Sequence, residues 1–283
     1  MLPLSRSALF HFGRGGWGVR LSSYVEENNM TLSAILPLTS TIVSLGFAVA
    51  LLWRYVERKR AHYLVWGLGV LIYGTGTFAE FYSSQAWDAT IFRLWYLCGA
   101  VLAAAWLGQG TVYLLVRKSG VAHTLMAVLL IGTLIAAVHT FSTPLNADVF
   151  TPSKPLSEQY ATRSVKITEG DGESEQEIRG IMPLGGVRSY SFLFNIYGTI
   201  ALVGGAVYSG YLFWRKRVMP NRVLGNVFIA LGGLSPAIGG TLARVGAPEY
   251  LYISELIGVV VIFVGFALAT RQQPVEVPAT QTA

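Results

Sequence analysis

Residues 33–53, SAILPLTSTIVSLGFAVALLW, are followed at 54–60 by RYVERKR, and the junction of these two strings decides the fold. Twenty-one residues without a charge, at 1.5 Å rise each, cover the ~30 Å hydrocarbon core of a bilayer as a helix. The arginines and lysine that follow mark the end that stays in the cytoplasm. Six more stretches of this length recur, at 61–81, 89–116, 121–141, 191–214, 223–245 and 250–269. The sixth is rich in glycine and interrupted by Pro236, and reads as a broken or kinked helix.

Composition agrees with this reading. Of 283 residues, 53% are hydrophobic and only 13% charged, about half the charged share of an average soluble domain. Such a chain cannot cover a water-soluble core, so lipid is its solvent. The formal net charge of +6 does not point to nucleic acid, because the basic residues sit in short runs between apolar stretches. Arg54, Arg58, Lys59 and Arg60 follow the first stretch, and Arg117 and Lys118 the third. Arg215, Lys216, Arg217 and Arg222 follow the fifth, and Arg271 the seventh. The short alternate connections, 82–88 and 246–249, hold no Lys or Arg. The expected fold is therefore all-α and polytopic, with seven transmembrane helices, the amino terminus outside and the carboxyl terminus cytoplasmic. A multi-pass protein of the cell membrane, the bacterial inner membrane in particular, is the expected setting. Cys98 is the only cysteine, so no disulfide forms within one chain.

Five segments follow. Residues 1–32 form an amino-terminal extension with Arg6, Arg14 and Arg20 and no apolar h-region, so Met30 is an alternative start. Residues 33–141 carry helices one to four. Residues 142–189 form a long extracytoplasmic loop, in which RSVKIT at 163–168 and EGDGE at 169–173 suggest a β-hairpin, with a disordered loop as the alternative. Residues 190–270 carry helices five to seven, and 271–283 form a cytoplasmic tail.

An internal repeat is expected as well. Thr41-Ile42 and Thr199-Ile200 begin similar runs that end in Trp53-Arg54 and Trp214-Arg215. Gly76-Thr77-Phe78-Ala79-Glu80 in the second stretch matches Gly240-Thr241-Leu242-Ala243-Arg244 in the sixth. Helices one to three would then repeat as five to seven with the fourth as connector, a parallel 3+1+3 duplication.

Ionisable residues within spans are costly, at ~2.5–3.5 kcal/mol each near the helix centre, and mark function or pairing. Four stand out: Glu80, Arg93, Arg244 and Glu255. All fall in the outer part of the membrane under the topology above. They read either as interhelical ion pairs or as the lining of an outward-facing polar cavity for a small ligand. Tyr73, Tyr82, Tyr96, Asn195, Tyr197 and Tyr252 are further polar candidates, and Pro236 is the candidate hinge. The sequence holds no Gly-x-Ser-x-Gly, P-loop or dinucleotide fingerprint. His62 and His123 are too few and too near the helix ends to hold a haem convincingly. The chain is thus read as non-enzymatic, with no catalytic residue, metal or cofactor required.

The seven-helix 3+1+3 plan resembles the broad group that holds rhodopsins and seven-helix sugar transporters. All five lysines lie outside the spans, which leaves none to carry retinal. Within 61–118, three motifs carry a closer likeness: Trp66-Gly67-Leu68-Gly69, Gly74-Thr75-Gly76-Thr77-Phe78-Ala79-Glu80, and Arg93-Leu94-Trp95-Tyr96-Leu97-Cys98-Gly99 with Ala105-Trp106-Leu107 after it. They resemble the seven-helix sensor region at the amino terminus of bacterial histidine kinases. The resemblance implies a receptor-like or sensor-like bundle that binds a small molecule and signals to a cytoplasmic partner. The alternatives are a small-solute transporter or channel and a structural or assembly protein without a ligand.

Overall fold

A computed structural model describes residues 16–152, 154–169, 172–183, 185–217, 219–244 and 249–270, with side chains described from Ala34 onward except at 119, 164–176, 244 and 249. Seven of its helices are long and apolar enough to cross a bilayer: Ala34–Arg58, Ala61–Ser83, Ala89–Leu115, Gly120–Ser142, Arg188–Arg215, Pro220–Ala243 and Tyr250–Thr270. They are called the first to seventh spans. The protein is thus a predominantly helical, multi-pass membrane protein. The first span continues a longer helix, Gly16–Arg58, that begins within the amino-terminal extension.

Local chemistry sets the ends. Asp88 caps the third span, its Oδ1 accepting from the Thr90 and Ile91 N–H groups at 2.7 and 2.9 Å. Between the first and second spans, Lys59 takes a left-handed φ of 51° and its N–H returns to the Tyr55 carbonyl, so the chain reverses within two residues. Trp95–Leu102 in the third span and Ile200–Gly204 in the fifth are wound as π-helix, which widens the turn and changes which residues face inward.

The spans close into a ring of six. Each of the first three packs against its chain neighbour, as do the last three. The third span adjoins the fifth and the seventh adjoins the first. The fourth lies outside the ring against the third, and Ile131, Leu134 and Val138 on it are more than 60% exposed. Exposed apolar side chains of this size, spread around the molecule, form the surface that lipid must cover.

Sixth and seventh spans meet along a seam of small residues. Gly225, Gly232 and Gly239 recur every seven positions and face Gly265, Gly258 and Ser254. A Cβ on Gly232 would lie 2.7 Å from the Gly258 carbonyl oxygen. The backbones therefore touch, as small residues allow between membrane helices. Pro236 sits inside this seam against Gly258, and the helix Pro220–Arg244 runs through it without interruption.

Side chains pack in two regions. At the end that carries the basic turns, Phe47 stacks on Phe263 at 4.8 Å between ring centres, with Leu51, Tyr63 and Phe266 around them. At the other end the long 142–187 connection folds back as a cap. Leu156, Ile181, Met182 and Val187 are buried against Trp95 and Tyr96. The cap is knitted by Asn146 N–H to the Ile181 carbonyl at 2.9 Å and Met182 N–H to the Tyr160 carbonyl at 2.7 Å. Gln159 closes its 151–159 loop, accepting from Thr151 N–H at 2.8 Å and donating to the Lys154 carbonyl at 2.7 Å.

From the cap projects an antiparallel hairpin, β1 Arg163–Glu169 and β2 Gly172–Ile178, with Arg163 opposite Ile178 and Glu169 opposite Gly172. The helix bundle and the hairpin share few contacts. Replacing 164–177 by a short Gly-Ser linker is therefore expected to shift the melting temperature of the detergent-solubilised protein by less than about 3 °C. A larger loss, read by thermal unfolding, would mean the strands brace the cap.

Candidate functional site

The second span presents Tyr73, Thr77 and Glu80 on one helical face, because residues four and seven apart line up along it. Each approaches a different neighbour. Thr77 Oγ1 and Thr41 Oγ1 on the first span share a hydrogen bond at 2.9 Å. Gly76 meets Gly99 of the third span with no room between them: a Cβ on Gly76 would lie 2.8 Å from Gly99 Cα. One turn nearer the cap, this close approach brings the Trp95 indole N–H to Glu80 Oε1 at 3.2 Å.

Glu80 is 3% exposed. The group beside it is a second acid. The carboxyl of Glu255, from the seventh span, lies within hydrogen-bonding reach of the Glu80 carboxyl. Ionised carboxylates only accept hydrogen bonds, so a direct bond between the two requires a proton on one of them. The Tyr73 hydroxyl donates to the Glu255 backbone carbonyl at 2.9 Å, binding the second span to the seventh on the same level. Tyr252, one turn from Glu255 and 5% exposed, lies beside both acids, and its hydroxyl faces the Leu156 backbone N–H of the cap. The acids are thus flanked by two tyrosines and an indole on the side toward the cap.

Arg93 lies elsewhere. Its guanidinium donates to the Thr143 carbonyl at 3.0 Å and to the Ala89 carbonyl at 3.4 Å. Thr143 is the residue that ends the fourth helix, where carbonyls lack partners of their own and a cation is favoured. Arg93 therefore ties the third span to the fourth, two residues away from a tryptophan that faces the acids. Arg244 belongs to the sixth helix, but its side chain lies outside the described residues.

The remaining polar candidates divide into two groups. Tyr73 and Tyr252 belong to the acid pair. Tyr96, Asn195 and Tyr197 lie along the third and fifth spans, where Asn195 Nδ2 donates to the Ala100 carbonyl at 2.8 Å. Tyr197 donates to Gln109 Oε1, and Gln109 Nε2 donates to the Ala122 carbonyl of the fourth span at 2.9 Å. Gln109 is fully buried and joins three spans, which makes it a polar anchor that hydropathy alone passes over. Tyr82 is exposed. No family model, curated protein or solved structure matches this chain.

Proposed function

We propose that this protein is a receptor-like or sensor-like bundle whose responsive centre is the Glu80–Glu255 pair, and that its ligand is a small molecule carrying positive charge. The observation that carries the reading is the meeting of two acids, Glu80 buried and Glu255 half-buried, with no cationic side chain of the described residues between them. Two carboxyls, with the Tyr73 hydroxyl and the Trp95 indole N–H beside them, offer several oxygens and up to two negative charges to a small cation, whose binding would release the proton between them to water. The cap, in contact with Tyr252, is the element through which such a ligand enters and is felt. The basic turns at the opposite end form the face for a cytoplasmic signalling partner.

This reading includes the 3+1+3 plan with the amino terminus outside. The ring supports it, since exchange of the two triples maps the third–fifth contact onto the seventh–first contact and leaves the fourth span outside. The likeness of 61–118 to the sensor region of histidine kinases points the same way. A transporter is the second reading, favoured by acids held between the two triples. The uninterrupted sixth helix and its tight seam favour the sensor, because half-helices broken at the midplane are absent from that element.

The test is a panel of small amines and alkali cations added to the protein in lipid nanodiscs. A cation that raises the melting temperature of the wild type, and does so at least about tenfold less effectively in Glu80→Gln/Glu255→Gln, supports the reading. Accumulation of a labelled solute in proteoliposomes would replace it with the transporter. Accessibility labelling is expected to find Lys59 and Lys216 on the same face of the membrane, and opposite faces would overturn the topology.

A further inference from the structure

A groove of about 690 Å³ runs along the first span at the basic end, bordered by Thr270 of the seventh. Its two halves differ in chemistry. The half nearer the bilayer midplane is apolar and open: Val49 is 65% exposed, and a Cβ on Gly46 would meet nothing within 4 Å. The mouth is cationic and aromatic. The Arg54 guanidinium lies over the Phe266 ring at 5.2 Å, and the residue is half-buried. Arg58 is exposed one turn further on. The Trp53 indole N–H binds Glu57 Oε1 at 2.7 Å, so the carboxylate that also lines the mouth has a donor of its own. From Gly46 to Arg58 the helix rises about 18 Å, which reaches from headgroup level to near the bilayer midplane.

We propose that this groove is a binding site for an anionic phospholipid, with the phosphate between Arg54 and Arg58 and one acyl chain lying over Gly46 and Val49. Arginine forks match phosphate oxygens in pairs of hydrogen bonds, and a guanidinium that lies over an aromatic ring keeps its edge free to make them. The apolar half is continuous with the lipid-facing surface, so a chain can slide in from the bilayer. A free phosphate would use only the mouth. The site is independent of the acid pair, which lies toward the other end of the bundle.

The experiment is retention of lipid by the full chain in detergent, read by native mass spectrometry and by melting temperature. Phosphatidylglycerol, phosphatidylcholine and inorganic phosphate are titrated separately. Phosphatidylglycerol is expected to be retained preferentially and to raise the melting temperature, with phosphate alone inactive. Arg58→Gln, at an exposed position, is expected to weaken retention about fivefold, and Arg54→Gln/Arg58→Gln by roughly the square of that. Gly46→Leu covers the open apolar half without a clash, so it should leave the lipid-free melting temperature unchanged while lowering retention of phosphatidylglycerol. Equal retention of the two lipids, full preference in the arginine variants, or the whole effect from inorganic phosphate would overturn the proposal.

Discussion

Gly232→Leu is expected to abolish recovery of folded protein. A Cβ at position 232 would sit 2.7 Å from the Gly258 oxygen, 2.8 Å from Ile262 Cγ1 and 2.9 Å from Ile262 N. Two of those three neighbours are backbone atoms inside a helix, so neither can rotate away. The sixth and seventh spans would have to separate, and the contacts on either side, Gly225 with Gly265 and Gly239 with Ser254, would open with them. Overpacking of a tight core costs about 1–3 kcal/mol and more when backbone is struck, a large share of the stability of any domain. The hydrogen bond from Ser235 Oγ to the Ser254 carbonyl, 2.7 Å long, would be lost in the same movement. Gly240→Leu is the control. It lies in the same helix, and a Cβ there meets nothing within 4 Å. Fluorescence-detected size-exclusion chromatography should show a monodisperse peak for Gly240→Leu and aggregate for Gly232→Leu. Two equal monodisperse peaks would show that the seam is not tight.

Substitution at Glu80 is expected to separate two consequences of the acid pair. Glu80→Ala removes the acceptor of the Trp95 indole N–H and the partner of Glu255 at once. Each buried polar group left unpaired costs about 1–3 kcal/mol, so the loss should be on the order of 2–5 kcal/mol. Glu80→Gln keeps both bonds: the amide oxygen accepts from Trp95 and the amide nitrogen donates to Glu255. Its loss should stay within about 1 kcal/mol. Chemical unfolding in mixed micelles reads the difference. If Gln proves as damaging as Ala, the proton assigned to the bond between the acids is not what holds them.

The membrane-spanning helices were legible because each rests on a local property, about twenty mostly apolar residues, with basic turns after every second one. The spans expected at 61–81 and 121–141 differ from the helices Ala61–Ser83 and Gly120–Ser142 by only a residue or two at each end. The partners of the ionisable residues were not legible in the same way. Glu80 and Arg93 are close in sequence and opposite in sign, which suggests a pair. The third span, however, is wound partly as π-helix from Trp95, and no local pattern announces that. The winding and the Gly76–Gly99 approach turn Trp95 toward Glu80, whereas Arg93 faces the end of the fourth helix. The encounter of Glu80 with Glu255 depends on ring closure between spans far apart in the chain. Pro236 was visible as a residue that ought to break a helix. What keeps the helix continuous there is the packing around Gly258, which lies on a different element. Gln109 carried no signal at all, being one uncharged polar residue in an apolar run.

Closure of the ring by the seventh span also fixes an order of events during synthesis. Glu80 enters the membrane with the second helix, and its companion emerges only with the last. At ~5–20 residues per second, the first acid waits on the order of ten seconds before the second is made. Throughout that interval the nascent chain holds Glu80 without Glu255, and the indole of Trp95 is the donor already made that the folded protein gives it. A factor that shields polar groups in half-built bundles would therefore act on this chain between insertion of the second helix and insertion of the seventh.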